Sequence, residues 1–121
     1  MDTQIDRPGR FFQWAVDTFG YIARDPKERT LRFLEEAIEL GQAMDIDPEQ
    51  VSSIIGRVYL REPGSPPKEI GQALATLELL AKAVDVDADA EATKEFYRVQ
   101  SVPKEEWAKR HAAKVALGIA R

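Results

Sequence analysis

Helical periodicity along nearly the whole chain, start signals built on Asp-Pro, and the lack of any sustained period-2 alternation predict an all-α protein. At 121 residues the chain has room for one core of ordinary size, which predicts a single helical domain over residues 1–121. Phe11, Phe12, Trp14, Ala15, Phe19 and Ile22 recur at helical spacing and place a first helix from about Pro8 to Ala23. Asp25-Pro26 starts a second helix, with Asp as cap and Pro in the first turn, running to about Met44. Asp47-Pro48-Glu49-Gln50 repeats that signal, with Gln50 where a capping box wants it, and opens a third helix to about Leu60. Glu62-Pro63-Gly64-Ser65-Pro66-Pro67 breaks the chain. A fourth helix follows from about Lys68 to Val84, and a fifth starts at Asp87 or Asp89 and stops before Pro103. The last runs from about Pro103 to Ile119 and carries Trp107, Ala108, His111, Val115 and Leu117. The expected fold is thus a bundle of five to six helices. Helices this short bury little unless they pack on one another or on a second copy, so the bundle is expected to be completed by homo-oligomerisation.

Composition narrows the chemistry. Hydrophobic residues at 44% and charged residues at 31% suit a globular chain rather than a disordered one. The absence of cysteine excludes disulfide scaffolds, thiolate-ligated zinc, iron–sulfur clusters and thiol catalysis. His111, the single histidine, excludes a His-rich metal site. No apolar run has the length of a membrane span and no signal-peptide core opens the chain, so a cytoplasmic protein without a membrane partner is expected. The net charge of −4 argues against nucleic acid as a partner, even with Lys104, Lys109, Arg110 and Lys114 on the last helix, where Glu105 and Glu106 offset them. The chemistry left is that of carboxylates.

Glu35-Glu36-Ala37-Ile38-Glu39 sets Glu35, Glu36 and Glu39 in one sector of the second helix, opposite Phe33, Leu34, Ala37, Ile38, Leu40, Gly41 and Met44. Taken alone, such a cluster reads as a solvated surface laced by Glu28–Arg32 and Arg32–Glu36 pairs. On the fourth helix, Ile70, Ala73, Leu74, Leu77, Ala81 and Val84 make the expected core face, while Glu69, Gln72 and Thr76 form a separate stripe that turns apolar at Leu79, Leu80 and Ala83. A glutamate heading such a stripe is expected to be partly shielded, and a desolvated carboxylate needs a cation: an arginine or a metal ion. If the second and fourth helices face each other, Glu36, Glu39 and Glu69 converge, with Glu35 alongside and Gln72 adding an amide oxygen. Hard divalent cations take this kind of oxygen cage, Mg²⁺ keeping positions for water and phosphate oxygens.

These two motifs, with the run Arg29-Thr30-Leu31-Arg32-Phe33-Leu34 between Glu28 and Thr76, resemble the MazG-like all-α nucleoside triphosphate pyrophosphatase superfamily, in particular its small phage and bacterial members. That superfamily carries E-E-x-x-E followed by E-x-x-D on the next core helix. The resemblance covers about residues 10–100 and leaves the C-terminal helix, 103–119, unassigned. It implies hydrolysis of a (d)NTP by water to the (d)NMP and pyrophosphate, with Mg²⁺ or Mn²⁺ as cofactor, in a homodimer or dimer of dimers. It implies Glu36, Glu39 and Glu69 as metal ligands, and Glu35 as a further ligand or the group that positions the attacking water. Gln72 stands where the pattern has aspartate; its oxygen reaches a metal or a metal-bound water without adding charge. The alternatives are a MazG-like protein that binds nucleotides with little or no hydrolysis, or a plain helical interaction module.

Other residues carry two readings each. Lys94 and Arg98 form a like-charge i,i+4 pair suited to a triphosphate, or are neutralised by Glu91 and Glu95. Arg29 and Arg32 reach phosphate or brace Glu36. Trp14 stacks on a base or packs in the core, where Phe11 is expected. Thr76 bonds Glu69 or the preceding turn. His111 is expected at the surface.

Overall fold

The structure, a computed structural model, describes residues 6–121. Among the described residues it contains six α-helices, one 3₁₀ turn and no strand, as the periodicity predicts. Helix α1 spans Arg7–Phe19, and Asp6 caps it by accepting the Gly9 N–H at 3.0 Å. The expected continuation to Ala23 is cut at Gly20, whose φ of +79° leaves the right-handed helical region; the chain runs on as a 3₁₀ turn, Gly20–Arg24. Helix α2, Pro26–Ala43, starts at the Asp25-Pro26 signal. Helix α3, Pro48–Tyr59, has the full capping box: Asp47 accepts from the Gln50 N–H at 2.8 Å and Gln50 accepts from the Asp47 N–H at 3.1 Å. Helix α4 is Pro66–Ala83, α5 Ala88–Gln100 and α6 Lys104–Ala116.

Two helix ends use one device. After α2, the Ile46 N–H returns to the Gly41 carbonyl and the Asp45 N–H to Gln42, with Asp45 at φ +64°. After α4, Val86 returns to Ala81 and Asp85 to Lys82, with Asp85 at φ +58°. Aspartate tolerates this left-handed position better than most side chains, and the paired return bonds satisfy the last carbonyls of each helix. In both cases the second aspartate, Asp47 or Asp87, caps the next helix. The third such end belongs to α6, where Gly118 takes φ +77° and the Ile119 N–H bonds back to Lys114.

The chain divides into two compact units. The first holds the chain up to Ala37 together with Ala92–Arg121. Its core is Ala15, Ala23, Phe96 and Val99, surrounded by a chain of ring contacts. Phe11 meets Phe96 at 5.2 Å between centroids, Trp14 meets Trp107 at 5.5 Å, and Phe19 packs against both tryptophans. The contacts of Trp14 and Phe19 with one another and with Trp107 are edge-on, a favoured geometry for aromatic pairs, and the Trp107 indole N–H is satisfied by the Val99 carbonyl at 3.1 Å.

The second unit, Ile38–Glu91, contains the end of α2, helices α3 and α4, and the start of α5. It contains no buried residue. The face of α4 expected in the core is uncovered, with Ile70 69% and Leu74 55% exposed, and Ile54 and Ile55 of α3 are exposed as well. Fully burying one such side chain is worth about 1.5–3 kcal/mol, so these helices leave much of that stabilisation unrealised within one chain.

Candidate functional site

The acidic motif of α2 lies across surroundings that differ from one glutamate to the next. Glu36 and Glu39 are exposed, whereas Glu35 is half-buried. Glu35 Oε1 takes two cations: Arg32 Nη1 at 2.8 Å from the preceding turn and Lys114 Nζ at 2.9 Å from α6. Arg32 is held in turn by Glu28, at 3.1 Å from Nε to Oε2, and donates from Nη2 to the Ile119 carbonyl. The Glu28–Arg32 pair expected from spacing is therefore present.

Glu28 is the deepest charge in this unit, with 1% of its side chain exposed. Its Oε1 accepts the Arg121 N–H at 2.9 Å. Its Oε2 makes no aligned hydrogen bond, so the guanidinium groups of Arg32, at 3.1 Å, and Arg29, at 3.9 Å, act there through charge, and His111 Nδ1 lies 3.8 Å away. His111 Nε2 lies 3.0 Å from the Arg121 carbonyl, and its ring packs on Phe19. Arg121 Nε also reaches Asp25 at 3.3 Å. Burial pushes the Arg29 guanidinium below its ordinary value, opposed by Glu28 and aided by Arg32. His111, expected at the surface, is thus part of a half-buried ionic network.

On α5, Arg98 grips Glu95 with two hydrogen bonds, Nε at 2.7 Å and Nη2 at 2.6 Å, which matches the neutralised reading of that cation. Those bonds, and then the charge of Glu95, raise Arg98 above its ordinary value; Glu36 of α2 adds a smaller push in the same direction. The acidic face of α2 and this cation of α5 therefore share one electrostatic neighbourhood. Lys94, one turn earlier, is exposed. Trp14 is half-buried among Phe11, Phe19 and Trp107 rather than standing alone for a base.

In the second unit, Glu69 lies in the first turn of α4 and is exposed, not shielded as its stripe predicts. Its carboxylate folds back over Gly64, where a Cβ would stand 2.2 Å from Oε2; only glycine admits that approach. Gln72 and Thr76 are exposed, and the Thr76 hydroxyl donates to the Ala73 carbonyl at 2.9 Å, the local bond expected of a mid-helix threonine. Among the described residues no three carboxylate or imidazole groups gather into a cage for a metal ion. Glu36 and Glu39 nonetheless fit Mg²⁺ by donor type, being accessible hard oxygens three residues apart on one helix, and Mg²⁺ takes one or two carboxylates and keeps its waters. No family model, curated protein or solved structure matches this chain.

Spacing gives the Glu28–Arg32 pair, but not the burial of Glu28 or the approach of His111 and Lys114 from α6. The signal was there as two stripes at i, i+4 and i+7: Glu28, Arg32 and Glu35 on α2, and Trp107, His111 and Lys114 on α6. Each stripe reads as surface until the two helices are known to face each other.

Removing the Glu28 carboxylate takes from Arg32 one of its two carboxylate contacts and leaves the Arg121 N–H without its acceptor. Glu28→Ala is expected to cost about 3 kcal/mol in urea denaturation, with Glu28→Gln losing less; a loss below about 0.5 kcal/mol would show that the network contributes no more than an ordinary surface site. Glu95 supplies a pH prediction. Hydrogen bonds from Arg98 hold its carboxyl below the ordinary value of 4.5, against a smaller opposing effect of burial. A depressed carboxylate contributes its stabilisation fully above the ordinary value and loses it as pH falls through the folded one. In carboxyl-carbon NMR titrations, Arg98→Ala should move the Glu95 midpoint up into the ordinary range; an unmoved midpoint would remove Arg98 as the cause.

Proposed function

We propose that this protein is a Mg²⁺-dependent nucleoside triphosphate pyrophosphohydrolase of the MazG-like kind, cleaving a (d)NTP to the (d)NMP and pyrophosphate. The reading is carried by the exposed carboxylate of Glu36 on α2 and the exposed Arg98 on α5, both in the first unit, with the Glu36 charge favouring the charged form of Arg98. Carboxylates for a divalent cation beside guanidinium and ammonium groups for phosphate oxygens are the two halves of a triphosphate site.

In this reading Glu36 and Glu39 of the first motif are Mg²⁺ ligands, and Glu69 and Gln72, exposed on α4, are the oxygen donors that the second motif offers. When bound, the ion shields the phosphate charge and acidifies a water. Arg98 and Lys94 draw the triphosphate by charge, and Arg98 is released from Glu95 when phosphate competes for its guanidinium. Arg32 braces Glu35 instead of reaching phosphate, since Glu28, Glu35 and the Ile119 carbonyl already occupy it. A protein that binds nucleotides without cutting them is the second reading, favoured by Gln72, which brings no charge to its motif.

The same proposal includes a homo-oligomer, either a dimer or a dimer of dimers. Its support is the second unit, whose α3 and α4 present Ile54, Ile55, Ile70 and Leu74 uncovered. Side chains of this size, exposed together on neighbouring helices, mark a surface that another copy covers.

Pyrophosphate release from the common ribo- and deoxyribonucleoside triphosphates, with Mg²⁺ and with chelator, tests the activity. Metal-dependent release abolished by Glu36→Ala and by Glu39→Ala is expected; full turnover in either variant would remove the metal assignment. Sedimentation equilibrium should give a mass at least twice the 13.6 kDa of the chain. Leu74→Lys should shift it toward the monomer, and a monomeric wild type would end the oligomer reading.

A further inference from the structure

Lys114 belongs to α6, the helix that carries neither acidic motif, yet it reaches the first motif directly. Its ammonium and the Arg32 guanidinium meet on the same oxygen, Glu35 Oε1, at 2.9 and 2.8 Å. The two cations come from different directions, one from the turn before Glu35 and one from a residue 79 positions later. Arg32 is itself fixed by Glu28 and the Ile119 carbonyl, and the left-handed Gly118 turns that carbonyl back toward α2. All three side chains are at most one-third exposed: Arg32 at 17%, Glu35 at 27% and Lys114 at 32%.

We propose that Lys114 is a positioning residue: with Arg32, it clamps Glu35 by Oε1 so that Oε2 is held toward an attacking water, and Glu35 serves as proton acceptor rather than as a metal ligand. This inference rests on the hydrolase reading above. Two arguments separate the roles. A carboxylate that already carries an ammonium and a guanidinium has its charge compensated, and a further cation brought to it meets like charge at short range. A carboxylate clamped by one oxygen has its other oxygen fixed in direction, which is the geometric requirement for a general base. In the proposed site the metal ligands are instead Glu36 and Glu39, whose side chains are exposed.

The step balances without a further reactant. The oxygen of a water forms a bond to the α- or β-phosphorus while the P–O bond of the bridge between them breaks. The water proton passes to Glu35 Oε2 and on to solvent, and the nucleoside monophosphate and pyrophosphate leave.

Kinetics of pyrophosphate release and calorimetric titration with MnCl₂ alone, on the full chain, separate this role from a structural one. Lys114→Met should lower kcat about tenfold or more, within the range of a general-base contribution, with KM and Mn²⁺ affinity each changed less than about twofold. Lys114→Arg should recover most of the rate. Glu35→Gln, which keeps the side chain's size, should lower kcat at least as far, and the double variant should fall no further than Glu35→Gln alone. If Lys114→Met does not fold, Glu35→Gln and Lys114→Arg carry the test: a Glu35→Gln enzyme with wild-type kcat overturns the role. A sharp rise in Mn²⁺ affinity in Lys114→Met would overturn it too, by making Glu35 a ligand that Lys114 restrains. An active wild type with unchanged kcat in Lys114→Met overturns this role alone. A wild type that releases no pyrophosphate overturns the hydrolase reading, and this role with it.

Discussion

Burying Glu28 is the constraint that organises the charged half of the first unit. A carboxylate with 1% exposure is tolerable only if its surroundings replace the water it has lost, and every group that does so comes from α2, α6 or the residues after α6. Arg32 is drawn to it, and Arg32 then fixes Glu35. His111 is drawn in from α6, and the same ring reaches the carbonyl of Arg121, whose N–H sits on Glu28. The docking of the last residues on α2, the setting of α6 and the orientation of Glu35 thus follow from one desolvated charge. Apolar packing alone would not specify this: the Trp14, Phe19 and Trp107 cluster brings α1 to α6, but ring contacts admit several registers. A buried ion set admits few.

The two units are stabilised by different means. The first combines an aromatic core with the Glu28 network. The second has neither a buried side chain nor, on its uncovered helices, a polar substitute for one. Its helices are well made locally, with a complete capping box on α3 and the paired return bonds at the ends of α2 and α4. Caps are worth about 1 kcal/mol each, whereas ordering a residue's backbone costs about 1–2 kcal/mol. Local order of this quality therefore cannot hold α3 and α4 by itself. The exposed Ile and Leu side chains are where the missing stabilisation resides, and the oligomer proposal places it there.

Much of this was legible in the sequence because it is local. The Asp-Pro starts, the Gln50 capping box and the Pro-rich break after Glu62 fix helix ends through nearest-neighbour chemistry, and the six helices fall where those signals place them. Gly20 ended α1 early because apolar spacing through Ile22 continues into a 3₁₀ turn, which keeps similar side-chain positions without the same backbone. The matching of Asp45-Ile46-Asp47 with Asp85-Val86-Asp87 was readable and missed: each supplies a left-handed residue, a β-branched residue and a cap. The i,i+3 placement of Glu36 and Glu39 on one helix was also readable. What was not readable is long-range. That Glu28 faces inward and that Lys114 meets Glu35 across 79 positions depend on which helix lies against which, and a glutamate or lysine at helical spacing looks the same on either side of that choice.

The α2 motif illustrates how one helix divides similar side chains among different tasks. Glu35 and Glu36 are chemically identical neighbours, yet a rotation of about 100° between consecutive residues sends them to different environments. Glu35 turns toward α6 and is neutralised by a lysine and an arginine. Glu36 stays exposed, with Arg98 of α5 close enough to sense its charge. Glu39, one turn on, is exposed as well. On the proposal above, it is the hold of Lys114 and Arg32 on Glu35 that sets this carboxylate apart as the base. The C-terminal helix, which carries no acidic motif of the resemblance, belongs to the site that the proposal describes through Lys114.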